Sequence, residues 1–154
     1  MIIMKFFGKS KKNEYQQKDK KVLFLCVENA GRSQMAEGFF KKYAPKGFIS
    51  LSAGTNPAHH INPVVVEAMK EVGIDISKQK SKVLIDEMIR ESDKVVNMGC
   101  MDKNFCPTIW LPKVIEWNIE DPKGKSIEEI RQIREKIKKK VKEIVAETTT
   151  TTQI

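Results

Sequence analysis

Cys26-Val27-Glu28-Asn29-Ala30-Gly31-Arg32-Ser33 puts a thiol, a guanidinium and a hydroxyl within one short stretch. Lys21-Val22-Leu23-Phe24-Leu25 before it has the apolar, β-branched and aromatic make-up of a buried parallel strand. Ser33-Gln34-Met35-Ala36-Glu37-Gly38-Phe39-Phe40 after it reads as a helix with Met35, Phe39 and Phe40 on one face. A strand, a tight loop and a helix N-terminus aim successive backbone N–H groups at one point, and the helix dipole adds positive potential there. The chemistry this suits is binding a tetrahedral anion. Val27 to Ser33 would supply the cradle, and Arg32 a planar fork to close it. Cys26 sits at the floor, where the same field favours the nucleophilic, negatively charged form of its sulfur. Ser33 is placed to donate to that sulfur, and Asn29 and Gly31 are expected to take the positive φ angles of the turn.

The other two cysteines, Cys100 and Cys106, follow a predicted third strand, Lys94-Val95-Val96-Asn97-Met98. They leave the sheet at the edge that also carries Cys26. A redox relay among the three is the preferred reading, with buried structural thiols as the alternative. Zinc is disfavoured, because the five intervening residues are wider than finger spacing and no second pair exists.

The elements that position these groups alternate. Phe48-Ile49-Ser50-Leu51-Ser52 reads as a strand, with a turn over Ala53 to Pro57. Asn62-Pro63 caps a helix with Val65, Ala68, Met69 and Val72 on its buried stripe and Gly73 at its end. A further helix is expected from a cap at Ser81, with Leu84, Ile85, Met88 and Ile89 inward. Val114 to Trp117 is the fourth strand. Ser126 and Glu129 form a capping box for a last helix whose Ile130, Ile133, Ile137, Val141 and Ile144 recur at spacings of three and four. The outer face of that helix carries Arg131, Lys136, Lys138, Lys139, Lys140 and Lys142 and is expected to be solvated. The fold class is therefore α/β, a four-stranded parallel sheet with helices on both faces and its site at the carboxyl ends of the strands.

Cys26 to Ser33 with Gln34-Met35-Ala36-Glu37-Gly38 behind it resembles the signature of the low-molecular-weight protein tyrosine phosphatase superfamily. More narrowly, it is similar to the arsenate reductases built on that fold, over roughly residues 21 to 145. The resemblance implies that Cys26 attacks arsenate and that Cys100 attacks Cys26, releasing arsenite. Cys106 would then move the disulfide to where a thiol reductant, thioredoxin above all, can reach it. It also implies Asp121, in Asp121-Pro122, as the acid that protonates the leaving oxygen; by itself Asp-Pro is a turn signal. Cys100 and Cys106 stand one residue closer together than in typical thioredoxin-coupled members. Some members hold potassium through residues matching Asn29, Glu37, Ser52 and an acidic group. Lys82 occupies that last position here, so its ammonium would pair with Glu37 and no bound metal or cofactor is expected. Glu28 places a carboxylate where many relatives are neutral, and its side chain is expected to point away from the anion.

Composition bounds the alternatives. The 154 residues make one domain of ordinary size, 31% charged and 40% hydrophobic, without an apolar run long enough to span a membrane. The opening Met1 to Phe7 is too short for a signal-peptide core, which points to the cytoplasm. Residues 1–20 read as a flexible basic extension, 21–146 as the domain and 147–154, with its threonines, as a frayed tail. Residues 1–21 carry seven lysines against Glu14 and Asp19. Nucleic acid as a partner is disfavoured because no aromatic or groove-reading pattern accompanies that charge. His59 and His60 read as ordinary loop histidines, and the family resemblance implies that their loop lies near the mouth of the anion site. The competing enzyme reading is a phosphatase acting on monoesters through a cysteinyl-phosphate. Lys123-Gly124-Lys125-Ser126 after Asp121-Pro122 lacks the aromatic residues that flank a phosphotyrosine in such enzymes.

Overall fold

The computed structural model describes residues 18–99 and 112–151; Cys100, Cys106 and most of the basic extension lie outside the described residues. In chain order the elements are β1 (Lys20–Cys26), α1 (Arg32–Tyr43), β2 (Phe48–Gly54) and α2 (Pro63–Lys70). There follow α3 (Asp86–Glu91), β3 (Lys94–Asn97), β4 (Val114–Glu116) and α4 (Ile127–Thr151). Among the described residues the strands form one parallel sheet in the order β2-β1-β3-β4, as the alternating pattern predicts. The chain leaves β1 to one side to make β2 and returns to the other side as β3. Cys26, the last residue of β1, therefore stands at the topological switch point, where parallel sheets open a crevice.

Strand alternation sorts the core into two layers. Val22, Phe24 and Val96 join Met35, Phe39 and Phe40 of α1, Met69 of α2 and the Ile130, Ile133, Ile137, Val141 stripe of α4. Leu23, Leu25 and Val95 face the other way onto Ile89 of α3, with Leu84 and Met88 packed beside them. Each fully buried side chain of this size contributes about 1.5–3 kcal/mol, so packing of the apolar stripe dominates the docking of α4. The capping box only fixes where that helix starts. Ser126 Oγ accepts from the Glu129 N–H at 3.3 Å, and the Glu129 carboxylate accepts from the Ser126 N–H at 2.9 Å. The Ser126 N–H bond, joined by one from the Ser126 hydroxyl to the same carboxylate at 3.2 Å, holds the Glu129 carboxyl below the usual carboxylate range. A group whose pKa falls on folding adds stability above its unfolded value and loses it as pH drops through the folded value. Glu129→Gln is thus expected to lower the urea midpoint near neutrality and to converge with the parent in acid. A gap that stays constant with pH would contradict this.

Several boundaries differ from expectation. β2 does not turn at Ala53 but continues to Gly54, because the Gly54 N–H donates to the Lys82 carbonyl and its carbonyl accepts from Leu84, both at 2.8 Å. That bridge keeps residues 81–84 extended, so Ser81 caps no helix and α3 starts only at Asp86. In the extended run Val83 and Ile85 face solvent, 53% and 47% exposed, so Ile85 is not a core residue. α4 runs to Thr151, through the threonines read as a frayed end, with the Thr149 and Thr150 hydroxyls donating to carbonyls one turn back.

Candidate active site

The loop after β1 is shaped by one residue in the left-handed region. Asn29 has φ 49°, a conformation its short amide side chain tolerates. Its N–H is thereby turned onto Cys26 Sγ at 3.1 Å. Gly31 does not share that conformation, since its φ is −139°. It is required for another reason: a Cβ there would lie 2.5 Å from Cγ of Pro122, so only glycine lets the Asp121-Pro122 turn seat on the loop. Gly54 serves from beneath, where a Cβ would meet the Val27 carbonyl oxygen at 2.5 Å.

A chain of hydrogen bonds runs inward to the sulfur. The Lys82 N–H donates to Asn29 Oδ1 at 2.8 Å, and Asn29 Nδ2 donates to Ser33 Oγ at 2.8 Å. Ser33 Oγ lies 2.7 Å from Cys26 Sγ. While accepting from Asn29, that hydroxyl can donate its own proton to the sulfur when the sulfur is an anion. The Cys26 sulfur thus faces the Asn29 amide and the Ser33 hydroxyl, both of which can donate to an anionic attacking atom. Gln34 Nε2 braces the same loop by donating to the Asn29 carbonyl at 2.9 Å, and Ser81 Oγ donates to the Glu28 carbonyl at 2.9 Å. The hydroxyl read as a helix cap is instead a strut under the anion loop.

Above the sulfur lies a pocket of about 340 Å³ lined by Cys26, Glu28, Ala30, Gly31, Arg32, His60, Asp121 and Lys123 among others. Among the described residues no side chain caps α1, and the first N–H groups of a helix, which have no partner within it, suit an anion placed in that pocket. Arg32, only 7% exposed, donates from one terminal nitrogen to the Met98 carbonyl at 2.7 Å and the Ile119 carbonyl at 3.1 Å. The segments that follow β3 and β4 therefore anchor the guanidinium. Its other terminal nitrogen approaches Asp121 at 3.9 Å. Asp121 itself is 57% exposed at the mouth. Replacing Arg32 by Lys keeps a charge but loses the fork and its carbonyl anchors. Hydrolysis of p-nitrophenyl phosphate is expected to fall in kcat/KM by about a hundredfold or more. Near-normal kinetics would remove Arg32 from the cradle.

Two sets of charged groups stand apart from the rest. Glu28 points out across the mouth to Lys123, with Oε1 accepting from Nζ at 2.7 Å, and Glu28 holds the Lys123 ammonium above its ordinary range. Behind the loop, the buried Glu37 carboxylate accepts from Ser52 and Lys41, and Lys82 Nζ stands 3.9 Å away. Burial pushes the Lys82 ammonium below the ordinary lysine range, against the pull of Glu37. The pairing expected of Lys82 is thus present. Among the described residues no cluster of three or more His, Cys, Asp or Glu could hold a metal ion. Sequence reasoning singled out neither Lys123 nor Gly54, and the bracing by Gln34 and Ser81 carries no motif of its own. His60 lines the pocket, as the placing of its loop suggested. Cys100 directly follows Gly99, where a Cβ would lie 3.1 Å from the Arg32 guanidinium.

The profile of the low molecular weight phosphotyrosine protein phosphatase family matches residues 21–153. An arsenate reductase from Brevibacillus brevis is 40% identical over 124 residues, covering 80% of this chain and 92% of the relative. Among solved structures, an arsenate reductase in the phosphate binding state superposes with a TM-score of 0.74 at 35% identity, covering 83% of this chain and 98% of the other. A thioredoxin-dependent arsenate reductase from Corynebacterium glutamicum superposes with a TM-score of 0.73 at 36% identity, covering 86% of this chain and 63% of that one.

Proposed function

The chain belongs to the low molecular weight phosphotyrosine protein phosphatase family, and we propose that within it this protein reduces arsenate to arsenite. The observation that carries the reading is the Cys26 sulfur, held by the Asn29 amide and the Ser33 hydroxyl beneath a pocket lined by Arg32 and Asp121. Its relatives named as arsenate reductases support arsenate as the oxyanion. In the first step the thiolate attacks As(V), and Asp121 gives a proton to the departing oxygen, which leaves as water. Arg32 and the loop amides hold the charge on the remaining oxygens. Cys100 then attacks Cys26 Sγ; the S–As bond breaks, its electron pair stays on arsenic, and arsenite leaves as the Cys26–Cys100 disulfide forms. Cys106 attacks Cys100 in turn, freeing Cys26, and an external dithiol of the thioredoxin class reduces the final disulfide. The work is cytoplasmic, where such dithiols are kept reduced.

Phosphate fits the same cradle, so slow hydrolysis of phosphate monoesters is expected beside the reduction. A dedicated phosphatase is the second reading, since Cys26, Arg32 and Asp121 around one pocket would serve ester hydrolysis without any further thiol. A single-turnover experiment separates the two. Fully reduced protein given arsenate without any reductant should release roughly one arsenite per chain and finish with a Cys100–Cys106 disulfide in its peptide map. Three free thiols and no arsenite after that incubation would remove the relay.

A further inference from the structure

The pocket mouth is crossed by a charge pair that the chemistry above does not use. Glu28 belongs to the anion loop and Lys123 to the turn that carries Asp121, and both line the pocket. The Glu28 end is fixed, since its carbonyl accepts from the Ala58 N–H at 2.8 Å and from Ser81 Oγ at 2.9 Å. The Lys123 end is tied to the acid, because its N–H donates to Asp121 Oδ1 at 3.0 Å. Between them Pro122 seats against Gly31.

We propose that Glu28 and Lys123 form a strap across the mouth that selects bare tetrahedral oxyanions against phosphate monoesters. The proposal rests on the arsenate reductase reading for its biological sense, though not for its test. A free oxyanion can turn every oxygen toward the loop amides and Arg32. A monoester must send its organic group out through the mouth, where the strap lies. The strap also neutralises Glu28, whose unpaired carboxylate beside the cradle would repel any dianion. Both partners are partly solvated, with side chains 34% and 69% exposed, so the pair adds little to global stability and can be altered without unfolding the protein.

The test uses full-length protein in three forms: Glu28→Gln, Lys123→Met, and the exchange Glu28→Lys with Lys123→Glu. Each is assayed for p-nitrophenyl phosphate hydrolysis with inorganic arsenate as competitive inhibitor, without reductant and after one arsenate turnover has been completed, so that no further reductase step enters. The selectivity, ester KM divided by arsenate Ki, is expected to fall about tenfold in both single variants. In Lys123→Met arsenate Ki should rise, because Glu28 is left unpaired; in Glu28→Gln the change should sit mainly in a lower ester KM. The exchange should return the selectivity to within about threefold of the parent, as expected of two residues acting as one unit. Unchanged selectivity in the single variants, or an exchange no better than either, would overturn the strap. Thermal unfolding run alongside should stay near the parent, and a fold-wide loss tracking the selectivity change would also overturn it. Arsenate reduction measured on the parent reports separately on the function.

Discussion

Cys26→Ser is expected to abolish arsenate reduction and phosphate-ester hydrolysis together, each by about ten-thousandfold or more. Serine keeps the shape of the site and can still meet the Asn29 amide and the Ser33 hydroxyl that now face the sulfur. What it loses is the easily formed anion on the attacking atom. Oxyanion binding should therefore survive, because the cradle is made of backbone N–H groups and Arg32 rather than of sulfur. Phosphate titrated calorimetrically into the variant should bind within a few-fold of its parent affinity, while turnover of both substrates is undetectable. Appreciable turnover of either substrate would exclude Cys26 as the nucleophile.

Cys100→Ser should split the two activities that Cys26→Ser removes together. Ester hydrolysis needs the nucleophile, the cradle and an acid, and water completes it. Arsenate reduction needs a second thiol to take Cys26 off arsenic, and a hydroxyl cannot form that disulfide. The expected result is loss of arsenite production by about a thousandfold or more, with p-nitrophenyl phosphate hydrolysis within a few-fold of the parent. Equal loss of both activities would make Cys100 a structural thiol. The Gly99 packing against Arg32 is the reason to measure hydrolysis in the same preparation, since a disturbed Arg32 would lower both.

Much of this frame was legible in the sequence because its signals are local. The Ser126-Glu129 box, the isoleucine stripe of α4 and the apolar β1 run each lie within a few turns of chain, and the structure has all three. The loop from Cys26 to Ser33 was readable because its chemistry is packed into consecutive residues. What escaped depends on partners far along the chain. Ser81 has the chemistry of a helix cap, but its hydroxyl is spent on the Glu28 carbonyl, 53 residues away. Gly31 looked like a turn glycine, whereas its missing Cβ makes room for Pro122. Glu28 was expected to point away from the anion, yet nothing local named Lys123, 95 residues on, as its partner. Ile85 was placed inward by helical spacing, and the bridge from Gly54 to Val83 turned that segment into an extended strand edge instead.

In the proposed reaction, oxyanion chemistry at Cys26 is coupled to thiol reduction. The most direct measurement is arsenate-dependent NADPH oxidation in the presence of thioredoxin and thioredoxin reductase, with p-nitrophenyl phosphate hydrolysis assayed on the same preparation. Robust NADPH oxidation that requires arsenate is expected, beside feeble ester hydrolysis. Brisk hydrolysis with no arsenate-dependent NADPH oxidation and no arsenite formed would contradict it and make the protein a phosphatase.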